Sequence, residues 1–425
     1  MAFVHDSLGP TANSIFAGAL ATLALLLTIA RLRRRGFGIV AVLVVATIAL
    51  LDAGTLVSVG PAAVEVLGVG LLLWLLDEWR VRALSSRDLA ASVPLLMLAW
   101  ANTHGSFVLG LGLLGATWIG VVSQRDGRTR LFLAIGMLAA LVTLVNPFGL
   151  RLWEYVATAV TGSRLQLITE WAPPNLGDRM WWAFVVALGL AAVGAAGWLA
   201  RPRQGGPGTL RIDDVLIAVA LAIAGLEQAR HAGVLGIGAA PVVAAGVAWV
   251  GRRLPALPAR TSRTRPGLHV AIFGALAIAT GILVWARVGP TNTAAAVRAD
   301  YPVDALPALD RLACGRPDDL HLFNDYSWGG WLEMVRPDIP VFIDGRSEVY
   351  GDAQVAGYAV IAGAQAGWDA ALDAPGVETA LVRSASPLVG ALAARGWTVA
   401  YRDAVSTLLR RNPVLTECRA IVLFH

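Results

Sequence analysis

The residues that could act on a substrate are few, and they gather where apolar runs end. Glu170 is a carboxylate able to serve as general base or metal ligand. His104 can shuttle a proton, and Asn102, two residues before it, can help orient a polar group. Arg151 and Arg230 carry forked guanidinium groups that match a phosphate, and His231 follows Arg230 directly. Trp171, beside Glu170, suits either a sugar ring or a membrane interface. Asp52, Asn146, Glu154, Glu227 and Gln228 share this setting, although loops gather polar residues anyway. Glu65 differs from them. It is expected well inside an apolar run over 57–76, as a functional acid or as a neutral one bonded to a neighbouring helix. Further along, Asp325 lies in NDYSWGGW, and Asp344 and Arg346 lie in DGRSEVY. Each motif follows a short strand-like run, the edge where open α/β sheets bind ligands. A buried ion pair with turn glycines accounts for these three residues as well.

The elements that must hold these residues are mostly membrane spans. The chain has 425 residues, 56% of them hydrophobic and 15% charged, against about 25% charged in soluble domains. Apolar runs cover 11–30, 37–51, 57–76, 89–122, 131–145, 180–200, 215–226, 234–250 and 269–285. The run over 89–122 would make a helix roughly 50 Å long, too long for one span of about 30 Å. Arginines flank it on both sides, so it must enter and leave by one face and turn at 102–105. Applied along the chain, the same rule gives about ten spans, an external N-terminus and an external loop over 150–179. It places 18 arginines of the membrane part inside and 5 outside, namely Arg151, Arg164, Arg179, Arg230 and Arg287.

Residues 1–290 carry a net +10 and residues 291–425 a net −5, and no Lys occurs anywhere. The basic excess follows topology and calls for no nucleic-acid partner. From 291 the pattern becomes α/β. Strands are expected at 321–323, 341–344, 379–382, 398–401 and 406–409, and helices at 331–335, 353–364, 368–372 and 387–395. The fold class is therefore an α-helical polytopic membrane domain, 1–290, followed by a small extracytoplasmic α/β domain, 291–425. Cys314 and Cys418 could pair in an exported domain or stay unpaired as small buried residues. No Walker motif, CxxC pair, HExxH or nucleophile elbow occurs.

Several pieces carry a resemblance: WANTHGSF at 100–107, NPFGL at 146–150, TEWAPP at 169–174, Ala240-Pro241, NDYSWGGWL, and PVFIDGRSEVYG. In these the sequence resembles bacterial polytopic membrane proteins similar to C-type-fold glycosyltransferases, which use lipid-linked sugars. The resemblance implies a polyprenyl-phosphate sugar donor, a site on the outer face and an exported acceptor. The family's usual first span and large first external loop, which bears its carboxylates, are expected to be missing here, with only 1–10 outside. Its catalytic acids therefore have no counterpart by matching. The expected roles rest on residue type and depth. Glu170 is base or metal ligand, His104 and Asn102 orient acceptor or phosphate, and Arg151 or Arg230 holds the lipid phosphate. A divalent metal is compatible with this set. The alternatives are a non-catalytic scaffold or lipid-binding protein whose outer domain binds a partner, and a transporter, for which Glu65 alone offers a group at mid-depth.

Overall fold

The computed structural model describes residues 10–56, 62–161, 173–200, 208–253, 290–313, 315–345 and 347–411. These fall into two compact units, Met1–Thr280 and Gly281–His425. The expected tenth run over 269–285 lies outside the described residues, as do Cys314 and Cys418.

The first unit is helical. Its elements are α1 Pro10–Arg34, α2 Ile39–Leu56, α3 Ala62–Arg80, α4 Ser86–Ala101, α5 Phe107–Ser123, α6 Thr129–Val142, α7 Leu150–Thr161, α8 Trp182–Ala200, α9 Ile212–Glu227, α10 Ala229–Ala232, α11 Leu235–Gly238 and α12 Ala240–Gly251. Among the described residues, Ile15–Arg34 and Arg179–Ala200 are long and apolar enough to cross a bilayer. Ala229–Gly238 with Ala240–Gly251 would make a third crossing, bent by 66° at its break. Other helices are shorter. α5 has 17 residues and α6 has 14, fewer than the about 20 that a full span needs.

Outward faces are apolar all the same: Leu26, Leu95, Met137, Leu141 and Val186 are each half exposed or more. Water-facing surfaces rarely gather so much apolar area, and such faces suit lipid. The close contacts also suit a bilayer. A Cβ on Gly194 would come within 2.1 Å of the Val242 carbonyl oxygen, and one on Gly246 within 2.0 Å of that of Leu190. α8 and α12 thus meet backbone to backbone, the small-residue packing that replaces hydrophobic drive between membrane helices.

Local signals explain the boundaries. The run over 89–122 folds as the hairpin α4–α5, its turn at Asn102–Ser106. Ser85 caps α4 by accepting a hydrogen bond from the Asp88 backbone at 3.1 Å. Two expectations are revised. The first part of the loop over 150–179 is the helix α7. The run over 234–250 is not one helix, because the chain breaks at Gln228 and again after Gly233 and Gly238.

The second unit holds α13 Pro290–Asp300, α14 Leu306–Ala313, α15 Tyr326–Val335, α16 Ser347–Ala362, α17 Trp368–Asp373 and α18 Pro387–Ala394. Its strands are β1 Leu322–Asn324, β2 Thr379–Arg383, β3 Thr398–Arg402 and β4 Ser406–Arg410, in the order β1-β2-β4-β3. β1 pairs with β2 in parallel, and the other pairs are antiparallel. Alternation puts Leu381 and Leu408 in one core with Trp328 and Leu332, and Val382 and Leu409 in the other with Leu388 and Leu392.

The strand expected at 341–344 is not formed. The side chain of Asn324 takes a strand's place there. It accepts from the Phe342 backbone at 2.8 Å and donates to the Ile343 carbonyl at 2.8 Å. A Cβ on Gly329 would sit 2.0 Å from that same carbonyl oxygen, so α15 packs directly on the segment.

Candidate functional site

The polar residues that converge do so in the helical unit. Glu65, expected at mid-depth, lies in the first turn of α3. It is 2% exposed. Its Oε1 lies 2.7 Å from Nδ1 of His231. His231 is on α10, the four-residue helix that forms because Gln228 leaves helical geometry (φ −139°, ψ 121°) and ends α9. Arg230 precedes it and interacts electrostatically with both Glu65 and His104. His104 in turn senses Glu65 and His231. One acid, two imidazoles and one guanidinium thus gather from α3, the α4–α5 turn and α10.

The turn is held by Trp100. Its indole fills a slot between two glycines: a Cβ on Gly68 would lie 2.7 Å from the ring and one on Gly110 2.9 Å. The indole N–H donates to the Ser106 hydroxyl at 3.0 Å. That hydroxyl lies 2.6 Å from Nδ1 of His104, and the Ser106 backbone N–H reaches the same nitrogen at 3.2 Å. An amide N–H can only donate, so Nδ1 of His104 is an acceptor and the ring proton sits on Nε2. His104 is thereby set as a donor at Nε2. His231 is set the other way. A carboxylate beside Nδ1 keeps the proton on that nitrogen, which leaves Nε2 with its lone pair when the ring is neutral.

The other expected site residues separate from this cluster. Asn102 spends its amide on the Leu98 carbonyl at 2.9 Å and the Val145 carbonyl at 2.8 Å, tying the turn to the end of α6. Arg151 is exposed on α7. In the second unit, Asp325 caps α15, accepting from the Ser327 backbone at 3.0 Å, with Arg383 at 3.7 Å. Asp344 is 1% exposed. Burial and Asp325's charge together push the Tyr358 hydroxyl well above the ordinary tyrosine range, so this aromatic group stays neutral. Glu170, Trp171 and Arg346 lie outside the described residues. Among the described residues no group of three His, Cys, Asp or Glu side chains is arranged to hold a metal ion.

Sequence reasoning missed a second cluster, at the opposite ends of the same helices. Asp77 bonds Arg31 at 2.9 Å and Arg211 at 2.7 Å. Arg35 holds Asp214 with both guanidinium nitrogens at 2.6 Å, and Arg80 holds Asp213 at 2.9 Å. The signal was the acidic pairs Asp77-Glu78 and Asp213-Asp214 lying among arginines that had been read only for sidedness. The broken return joins this cluster too, since Arg31 donates to the Ile237 carbonyl at 3.4 Å.

No protein-family model matches the sequence, and no curated protein matches it. Among solved structures, the chain is similar to the oligosaccharyltransferase AglB of the archaeon Archaeoglobus fulgidus, in complex with an inhibitory peptide and a dolichol-phosphate. The identity is 14% and the TM-score 0.49, over 88% of this chain and 58% of that one.

Proposed function

We propose that the protein is a membrane glycosyltransferase that moves a sugar from a polyprenyl-phosphate donor to an exported acceptor. The observation that carries this reading is the meeting of Arg230, His104 and the Glu65–His231 pair in a helical unit whose outer faces are apolar. A lipid phosphate needs an apolar surround for its chain and fixed donors for its head. Arg230 supplies the charge, and the Nε2 proton of His104 supplies a hydrogen bond to a phosphate oxygen. In this reading the chain crosses the membrane about ten times, with its N-terminus and C-terminal domain, 291–425, outside. The domain then lies on the side of the acceptor and helps to bind it. Glu170 and Trp171 belong to the same face by the charge rule, with Glu170 as a further base or metal ligand.

Several features support a transferase over the alternatives. The transporter reading needed an acid at mid-depth, and Glu65 is at a helix end. A scaffold would not need two imidazoles fixed as opposite tautomers. The test is transfer from radiolabelled polyprenyl-phosphate sugars in membranes holding the full chain. Wild type is expected to transfer, and His104→Ala and Glu170→Gln to fall. Equal turnover by wild type and the His104→Ala/Glu170→Gln double variant would sink the site assignment.

A further inference from the structure

Glu65 and His231 stand 166 residues apart in the chain, yet they make a 2.7 Å contact with the carboxylate fully enclosed. A buried carboxylate needs a partner, and this one has an imidazole whose side chain keeps 15% exposure. The partner is thus at the border of the enclosed region, with its Nδ1 held by Glu65. Structure alone could have used a less demanding pair to fasten α10 to α3. Here the backbone already fastens the broken return: a Cβ on Gly236 would lie 2.8 Å from the Ala49 Cα, and Asp52 on α2 takes a hydrogen bond from the Gly236 backbone.

We infer that His231 is the catalytic base of this site and that Glu65 is its positioning residue, with His104 as the donor to the leaving phosphate. The inference rests on the transferase reading and assigns its proton path. The acceptor hydroxyl loses its proton to Nε2 of His231 as its oxygen bonds to the anomeric carbon. The bond from that carbon to the phosphate oxygen breaks, and its electron pair leaves with the phosphate. The lipid phosphodiester, with one negative charge, becomes a monoester with two. The proton gained by His231 makes an imidazolium paired with the Glu65 carboxylate. The Nε2 proton of His104 and the charge of Arg230 face the new phosphate charge. No oxidant or further reactant is needed.

Glu65 is faced electrostatically by His231, by Arg230 and by His104 from the α4–α5 turn. The test uses the full chain in membranes, a radiolabelled polyprenyl-phosphate sugar, and four proteins: wild type, His231→Gln, Glu65→Gln and Glu65→Asp. His231→Gln is expected to lower kcat about 100-fold or more, the usual scale of a lost general base, with KM for the lipid donor within about threefold. Glu65→Gln is expected to lower kcat less, with KM for the lipid donor within about threefold, and Glu65→Asp to recover part of the lost kcat. A merely structural Glu65 would lower the melting temperature without this split between kcat and KM. The melting transition in detergent checks folding. If Glu65→Gln does not fold, the half-buried His231 still decides through its own split between kcat and KM. A wild type that transfers while His231→Gln matches it overturns this inference and leaves the transferase reading standing. A wild type that transfers from no polyprenyl-phosphate sugar overturns both.

Discussion

At the scale of single residues, the proton states of two imidazoles matter more than their identity. Ser106 is the residue that makes His104 a donor, since it relays the Trp100 N–H and blocks Nδ1. Ser106→Ala keeps the backbone N–H on Nδ1 but strips the hydroxyl that accepts from the buried Trp100 indole, so it is expected to destabilise the fold by about 1–3 kcal/mol, read as a lower melting temperature, and to slow transfer about tenfold as the His104 ring loses that partner. Assay beside His104→Ala gives the check: the two losses should not multiply if they belong to one relay. Asn324 offers a parallel case in the second unit. Its side chain occupies backbone groups at 342–343 that no strand reaches. Asn324→Ala is expected to destabilise that unit by about 1–3 kcal/mol, read from thermal unfolding of the whole protein. Neither role was legible from residue type. Asn324 and Asp325 sit in a motif that reads like a ligand loop, but hydrogen bonds within the fold absorb both.

At the scale of elements, legibility followed whether the signal was local. The α4–α5 hairpin could be read because one apolar run was too long and its charged flanks had one sign. The meeting of α3 with α10 could not, because it depends on a helix break at Gln228 that carries no Gly or Pro signal of its own. The loop between α5 and α6 allows a sharp test. Asp126 is held down to about 2, chiefly by hydrogen bonds from the side chain and backbone of Arg128. Arg128 in turn donates to the Trp79 carbonyl at 3.0 Å and covers the Trp79 ring at 4.1 Å. A depressed carboxylate stabilises the fold above its unfolded value of 3.8, and that contribution is lost as pH falls toward about 2. Asp126→Asn is therefore expected to lower the melting temperature at neutral pH and to converge with wild type near pH 2, measured by scanning the detergent-solubilised protein across that range. In the second unit, Gly329→Ala forces α15 away from the Ile343 carbonyl, at about 1–3 kcal/mol.

At the scale of the whole molecule, the helical unit has two polar ends with apolar flanks between. The end with Arg31, Arg35, Arg80 and Arg211 against Asp77, Asp213 and Asp214 is a network of buried charges. Removing one partner from such a network leaves the others uncompensated. Asp77→Asn is expected to destabilise by about 3–5 kcal/mol, read as a drop in melting temperature, and Asp77→Asn with Arg211→Gln should recover part of it. Composition pointed to a membrane chain because 15% charged residues cannot cover a water-soluble surface of this size. It could not show which charges were exposed and which were buried. Arg31 gives this arrangement its reach. One of its nitrogens is bound to Asp77 at the arginine-rich end, and another touches the Ile237 carbonyl in the broken return that also carries His231. The charge network and the broken return thus share one guanidinium group. Loss of that group, as in Arg31→Gln, releases both contacts at once, so the packing of the return depends on the charges around Asp77.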